Sequence, residues 1–218
     1  MSDAVDRAPR EPVQGILFDL LMAVMNSMEI WSAAAGDRRR GLAWRDAVTA
    51  RMVAQGSYAP YEDLAVEAAR ELGLPAKAAT DLFDRWPEMS PWPDAAAIAR
   101  LTVPYGFVTN CSSALAAIAA RRSGLTPAFG LSAEEAGWYK PDPRIYREAC
   151  LRLGSTPVRT LLVAGSVYDS EGAQRAGLHA ALVVRRSDQR LPGAQILLVA
   201  SLEEIVGRLE REMPHSGG

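Results

Sequence analysis

Asp19, Lys140 and Asp169 are the residues whose types and surroundings could do chemistry. Asp19 ends an apolar run at residues 13–18. An aspartate carried rigidly at a strand end can attack an electrophilic carbon or phosphorus as a covalent nucleophile, splitting one displacement into two easier steps. Lys140, in Tyr139-Lys140-Pro141-Asp142-Pro143, would supply a cation that keeps such a carboxylate ionised and oriented. Thr109 and Asn110 follow the apolar Phe107-Val108 and precede an Ala-rich stretch. They offer a hydroxyl, an amide and helix N-terminal donors to an anionic group. Asp169, in Ala164-Gly165-Ser166-Val167-Tyr168-Asp169, could hold Lys140 in place or help position water.

Such distant residues need elements that bring them to one edge. Residues 13–18 break into Asp19 as a buried parallel strand does when it delivers a polar residue at its carboxyl end. The same shape recurs at residues 104–108 before Thr109-Asn110, at 160–164 before Gly165-Ser166, and at 180–184 before Arg185-Arg186. Helical patterns separate them at residues 113–123, 142–153 and 171–176, the last stopping at Gly177 as a C-cap. Strands alternating with helices predict an α/β fold with a parallel sheet, whose right-handed crossovers set all strand carboxyl ends on one edge. Sites in such sheets lie along that edge.

Residues 24–91 are different, with helical periodicity and no convincing buried strand. Residues 44–55, 61–72 and 76–86 read as three helices, and Ser90-Pro91-Trp92-Pro93 punctuates the return to the sheet. The expected organisation is an α/β core of residues 13–23 and 92–211, a helical cap of residues 24–91 over the strand ends, and loose tails at 1–12 and 212–218.

Composition narrows the partners. The chain has 218 residues with 24 Lys+Arg against 26 Asp+Glu, a formal charge of −2, which argues against a nucleic-acid partner. Hydrophobic residues at 49% and charged residues at 23% are the composition of a chain that buries a core. No apolar run reaches the roughly 18 residues a membrane span needs, and the polar start MSDAVDRAPREP lacks the apolar centre of a secretory signal. A cytoplasmic protein with no membrane partner is expected. Cys111 and Cys150 show no metal-ligand spacing, and of two histidines His215 sits in the polar tail. Zinc sites and Ser-His-Asp chemistry have almost nothing to draw on.

The four signals, in the order Asp, Thr, Lys, Asp with a helical insert after the first, resemble the haloacid dehalogenase superfamily over about residues 13–209. The resemblance implies a Rossmann-like parallel sheet flanked by helices, an inserted helical cap, and hydrolysis through an aspartyl ester on Asp19. The superfamily's phosphatase branch places a second aspartate two residues after the nucleophile and an acid before the Ser of the fourth signal, where it ligates magnesium. Leu21 and Gly165 stand there instead. Leu21 cannot protonate a leaving group, and two carboxylates alone lack the oxygen ligands that hard cations want.

The metal-independent 2-haloacid dehalogenase branch resembles the chain better. It uses no second aspartate and reads Ser-Asn where this chain has Thr109-Asn110. Trp44-Arg45 is similar to its Trp-Arg pair on the lid, Lys140-Pro141 with Tyr146 matches its Lys-Pro-x-x-x-x-Tyr pattern, and Tyr168-Asp169 falls where it has an aromatic followed by Asp. Ser166 replaces an Asn, Ala164-Gly165 a Ser-Ser, and Ala23 a Thr. The resemblance implies dehalogenation of a small 2-halo carboxylic acid without cofactor or metal. Asp19, Lys140 and Asp169 would be catalytic. Arg45, Thr109, Asn110, Tyr146, Ser166, Leu21 and Met22 would surround the substrate. A phosphatase and a degenerate protein with a reshaped apolar pocket are the alternatives, and a homodimer is left open.

Two features carry plainer readings beside these. Arg45 with Arg38, Arg39, Arg40 and Arg51 also fits a solvated helix face. Met22, Met25 and Met28 recur at threes, either as packing beneath the lid, since methionine fills irregular gaps, or as an enlarged apolar pocket. Cys111, with no histidine to activate it, reads as a small buried residue.

Overall fold

The computed structural model describes residues 12–185, 189, 191–193 and 196–212. The tails expected at 1–12 and 212–218 therefore lie almost wholly outside the described residues, His215 included. Six strands form one parallel sheet: β1 (Gly15–Asp19), β2 (Tyr105–Thr109), β3 (Gly130–Ser132), β4 (Thr160–Ala164), β5 (His179–Val183) and β6 (Leu197–Val199), in the order β3-β2-β1-β4-β5-β6. Every residue of β1 and of β4 is buried. Helices cover both faces of such a sheet, which is why its central strands are continuous apolar runs without alternation.

The strand order reverses between β1 and β4, and a crevice opens at the carboxyl ends on such a reversal. Asp19 is the last residue of β1, Thr109 ends β2, and Gly165 follows β4. Three of the four sequence signals thus flank the crevice. The strands β3 and β6 add to the four expected.

Four helices lie between β1 and β2: α1 (Met28–Ala35), α2 (Arg38–Gln55), α3 (Tyr61–Glu71) and α4 (Ala78–Asp84). The sequence predicted three, and α1 is the addition. The helix α2 starts earlier than residue 44 because the Asp37 side chain accepts from the Arg40 N–H at 2.8 Å, capping the helix. Gly41 lets α2 approach α1: a Cβ there would stand 2.8 Å from the Ser32 backbone. Trp31 and Trp44 then meet edge to face with centroids 4.7 Å apart, and the Trp44 indole donates to Ala65 O at 2.8 Å. The remaining helices are α5 (Ser113–Ser123), α6 (Ala133–Ala136), α7 (Pro143–Arg152), α8 (Val167–Arg175) and α9 (Leu202–Glu212). Buried apolar residues of the sheet and of α1–α4 form one continuous core. Among the described residues no helix is long and apolar enough to cross a membrane.

Candidate active site

Lys140 stands between two carboxylates. Its Nζ lies 3.0 Å from Asp19 Oδ1 and 2.6 Å from Asp169 Oδ2, and donates to Val108 O at 3.2 Å. All three residues are buried, Lys140 at 1% exposure and Asp169 at 0%. Burial alone would pull the ammonium down, but Asp169 and then Asp19 outweigh it, so the Lys140 pKa moves up and the group stays charged. Burial raises the Asp169 carboxyl and Lys140 opposes that rise. The Tyr146 hydroxyl donates to Asp169 Oδ1 at 2.6 Å. Burial and the neighbouring Asp169 push the phenol well above its ordinary value, so it remains a donor.

Tyr146 was expected beside the substrate, and its position corrects that. It is fully buried and sits behind Asp169, where it fixes the carboxylate that holds Lys140. Asn110 lines the cleft and also ties down the lysine. Its Nδ2 donates to Lys140 O at 3.0 Å and its Oδ1 accepts from the Lys140 N–H at 2.8 Å. The amide thus fixes the lysine backbone and keeps one N–H for the cleft. Thr109 Oγ1 lies 3.7 Å from Cys111 Sγ. Cys111 is buried, and burial pushes its thiol up to about 12, which makes it an inert packing residue.

A cleft of about 130 Å³ opens onto this group, lined by Asp19, Leu21, Met22, Arg45, Thr109, Asn110 and Ser166 from the sequence-predicted set. Lys140 and Asp169 lie behind Asp19, outside the lining. A larger cavity of about 240 Å³ between α5 and β3 shares Thr109 but contains neither Asp19 nor Lys140, so the smaller cleft is the one with the chemistry. Ser166 Oγ is buried and has no hydrogen-bond partner among the described residues, leaving its hydroxyl for whatever fills the cleft.

Arg45 resolves toward the cleft, not the solvated face. Its Nη1 lies 3.3 Å from Met22 Sδ and 3.5 Å from Met28 Sδ, and its Nη2 2.8 Å from Asp46 Oδ1, whereas Arg38 and Arg39 are exposed. The methionines divide between both readings. Met22 lines the cleft, Met28 packs beneath the guanidinium, and Met25 is fully buried and pairs with Pro91. Asp46, Thr49 and Met52 of α2 and Tyr61 of α3 also line the cleft and escaped the sequence reading. Arg45, Thr49 and Met52 recur at i, i+4 and i+7, a helical-face signal that placing Arg45 would have exposed.

Gly165 has a steric reason. A Cβ there would stand 2.4 Å from Met22 Cβ and 2.5 Å from the Met22 carbonyl carbon. The bare backbone instead lets the Gly165 N–H approach Asp19 Oδ2 at 3.4 Å. Among the described residues no three His, Cys, Asp or Glu side chains converge. Asp19 and Asp169 already share Lys140, so the donor set does not fit a divalent cation.

No family model matches the chain. An (S)-2-haloacid dehalogenase 4A from Burkholderia cepacia is 31% identical over 113 residues, 49% of each chain. An (S)-2-haloacid dehalogenase 1 from Pseudomonas sp. (strain CBS-3) is 33% identical over 110 residues, 48% of each. The chain thus spans about half the length of these relatives. An (S)-2-haloacid dehalogenase from Pseudomonas putida matches at 28% over 196 residues, 80% of this chain and 86% of that one. Among solved structures, a dehalogenase with an intermediate complex superposes with a TM-score of 0.80 at 22% identity, covering 91% of this chain and 97% of its own. The L-2-haloacid dehalogenase from Xanthobacter autotrophicus gives 0.77 at 20%, covering 93% and 100%. The chain thus shares the fold of solved dehalogenases along nearly its whole length, and its sequence likeness to curated proteins is mainly to (S)-2-haloacid dehalogenases.

Proposed function

We propose that the protein is a hydrolase that removes halide from a 2-halo carboxylic acid through an aspartyl ester on Asp19. The observation that carries this reading is Lys140 held between Asp169 and Asp19, the latter lining a small cleft. Lys140 occupies Asp19 Oδ1, so Oδ2 is the oxygen that attacks. It forms a bond to the α-carbon as the carbon–halogen bond breaks and the halide departs with its electron pair. Water then adds at the Asp19 carbonyl carbon. Oδ1 takes up the negative charge of that addition, 3.0 Å from the Lys140 ammonium, where a fixed cation in a dry site stabilises it strongly. Collapse frees a 2-hydroxy acid, restores the carboxylate and releases one proton.

Arg45 faces the cleft from α2 as the partner for the substrate carboxylate or departing halide. Its inward N–H groups rest on thioethers, which are weak acceptors that an anion displaces readily. In this reading residues 24–91 serve as a cap over the strand ends, and the protein works in the cytoplasm. The names of the Burkholderia and Pseudomonas relatives support the substrate class.

The test is halide release from 2-chloropropionate and larger 2-haloacids. Asp19→Asn keeps the shape and should abolish turnover, and repeated turnover in heavy-oxygen water should place label in the Asp19 carboxylate of the unmodified protein. An unlabelled Asp19 after many turnovers would sink the ester. Activity unchanged by EDTA is expected as well, and its loss would favour a metal-dependent phosphatase.

A further inference from the structure

We propose that Arg185 and Trp92 are positioning residues that clamp the turn following Asp19 and thereby set where the nucleophile stands against Gly165. The inference rests on the dehalogenase reading and adds two residues to it that the sequence marks only as a strand end and a turn.

The chain leaves β1 through a single π-helical turn, Leu20–Val24, closed by the Met25 N–H on Leu20 O at 2.9 Å. A one-turn helix leaves its later carbonyls without internal donors. Here three consecutive carbonyls are met from outside. The Trp92 indole N–H donates to Met22 O at 3.2 Å, Arg185 Nη2 to Ala23 O at 2.7 Å, and the Trp92 backbone N–H to Val24 O at 2.9 Å. The two donors are joined to each other, because the Arg185 guanidinium lies over the Trp92 ring, 4.7 Å from its centroid.

The clamp is anchored in the core. Arg185 Nη1 reaches both oxygens of Asp94 at 3.0 and 2.8 Å, and Asp94 Oδ2 also accepts from the Leu202 N–H at the start of α9, at 2.7 Å. The ion pair is largely out of water, with side-chain exposures of 10% and 17%. The other end of the clamp meets the β4 loop. Gln189 accepts from the Arg185 N–H at 3.2 Å and donates to Gly165 O at 3.4 Å. Met22, whose carbonyl is held, is also the residue against which Gly165 packs, and the Gly165 N–H faces Asp19 Oδ2. Arg185 therefore reaches one side of the crevice directly and the other through Gln189, and does not line the cleft. An error of about 1 Å in the placement of a reacting group can cost on the order of a hundredfold in rate, so the turn is where remote bonds translate into chemistry.

The experiment compares Arg185→Lys and Trp92→Phe with the unmodified protein. Lysine keeps the charge opposite Asp94 but loses the fork that spans Asp94 and Ala23 O; phenylalanine removes the single bond to Met22 O. Halide release from a 2-haloacid should show kcat down on the order of tenfold to a hundredfold for Arg185→Lys and about threefold to tenfold for Trp92→Phe. KM should stay within about twofold in both, because the substrate-facing residues are untouched. Amide hydrogen exchange at Met25, whose N–H closes the turn, should quicken in both variants. A merely stabilising ion pair would lower the melting temperature and leave kcat alone, so kcat within twofold of the unmodified protein overturns the proposal. An unchanged Met25 exchange rate overturns it too. If Arg185→Lys does not fold, Trp92→Phe decides by the same two measurements. Absence of halide release from the unmodified protein would count against the proposed function instead, and Met25 exchange would then decide alone whether the clamp holds the turn.

Discussion

Arg45 holds one solvent-exposed carboxylate and two thioethers at once, and this sets what its replacement should do. Asp46 is 65% exposed at its side chain, so that pair lies near water and contributes little. The thioethers of Met22 and Met28 are poorer acceptors than an oxyanion. A substrate carboxylate can take over the guanidinium cheaply, and in doing so gains two parallel charge-assisted bonds. Arg45→Lys keeps the charge and loses the fork, so kcat/KM for a 2-haloacid should fall roughly tenfold to a hundredfold, while Arg38→Lys and Arg39→Lys on the exposed part of α2 leave it within about twofold. Equal small effects at all three positions would mean that another group meets the anion. Lys140 gives a prediction in pH. Its pKa is raised, chiefly by Asp169 and Asp19 against the pull of burial. A raised folded-state value contributes stability in full below the ordinary lysine value of about 10.5 and loses it only as pH climbs through the higher one. The alkaline limb of kcat/KM assigned to Lys140 should therefore lie above pH 10.5, and a fall between pH 7 and 10 that Lys140→Arg displaces would contradict this. Asp19 is legible in the sequence because a charge ending a buried strand is costly and so stands out, whereas Lys140, in the turn before α7, and Asp169, inside α8, are legible only through the ordered pattern of signals. Asn110 and Tyr146 were legible as positions only, since an amide or a phenol gives no hint in sequence of which way its hydrogen bonds run.

At the scale of elements, burial decided what sequence could show. The strands β1, β2, β4 and β5 run through the middle of the sheet, so each is five residues long and almost wholly buried and reads as an apolar run ended by polar residues. The edge strands β3 and β6 have three residues each, too few to carry a period. The helix α1, Met28–Ala35, hides for the opposite reason: Met28, Ile30, Trp31, Ala34 and Ala35 are buried, leaving little polar face for a helical pattern to be drawn against. The π-helical turn after Asp19 has no sequence signature, yet it explains why glycine stands at 165. Met22 and Ala23 press on the β4 loop so closely that the position after Ala164 must be glycine. Gly165→Ala should then destabilise the fold by about 1–3 kcal/mol through overpacking against backbone, read as a lowered midpoint in thermal or denaturant unfolding. Because the obstructing atoms include the Met22 carbonyl carbon and the Ala23 nitrogen at 2.5 and 2.6 Å, Met22→Ala should not rescue it. Full rescue by that second change would show that the crowding belongs to the methionine side chain alone.

Across the whole molecule, the helices between β1 and β2 are tied to the segment that leads into Lys140. Tyr139 N–H donates to Gly56 O at 2.7 Å and Tyr58 N–H to Gly137 O at 2.9 Å, and Ser57 and Trp138 form an antiparallel bridge. The Tyr139 hydroxyl donates to Ala59 O at 2.5 Å, and Ser112 at the start of α5 donates to Glu62 of α3 at 2.6 Å. Burial pushes the Tyr139 phenol far above its ordinary value, so it stays a donor at every working pH. With one continuous apolar core as well, residues 24–91 have no separate interior to unfold around. The expectation is a single cooperative transition: tryptophan fluorescence, to which Trp31, Trp44 and Trp86 of residues 24–91 contribute three of the five tryptophans, should coincide with far-ultraviolet dichroism, which the whole fold contributes to. Tyr139→Phe leaves the buried Ala59 carbonyl without its donor and should cost about 1–3 kcal/mol, lowering the melting temperature by several degrees at this chain length. The two probes should shift together, because the lost bond joins the connection between α2 and α3 to the segment before Lys140 and belongs to neither alone. Two separated transitions in the unmodified protein, or a shift of the fluorescence curve only, would mean that residues 24–91 fold as a unit of their own and that the bonds beside Lys140 are contacts between independent parts.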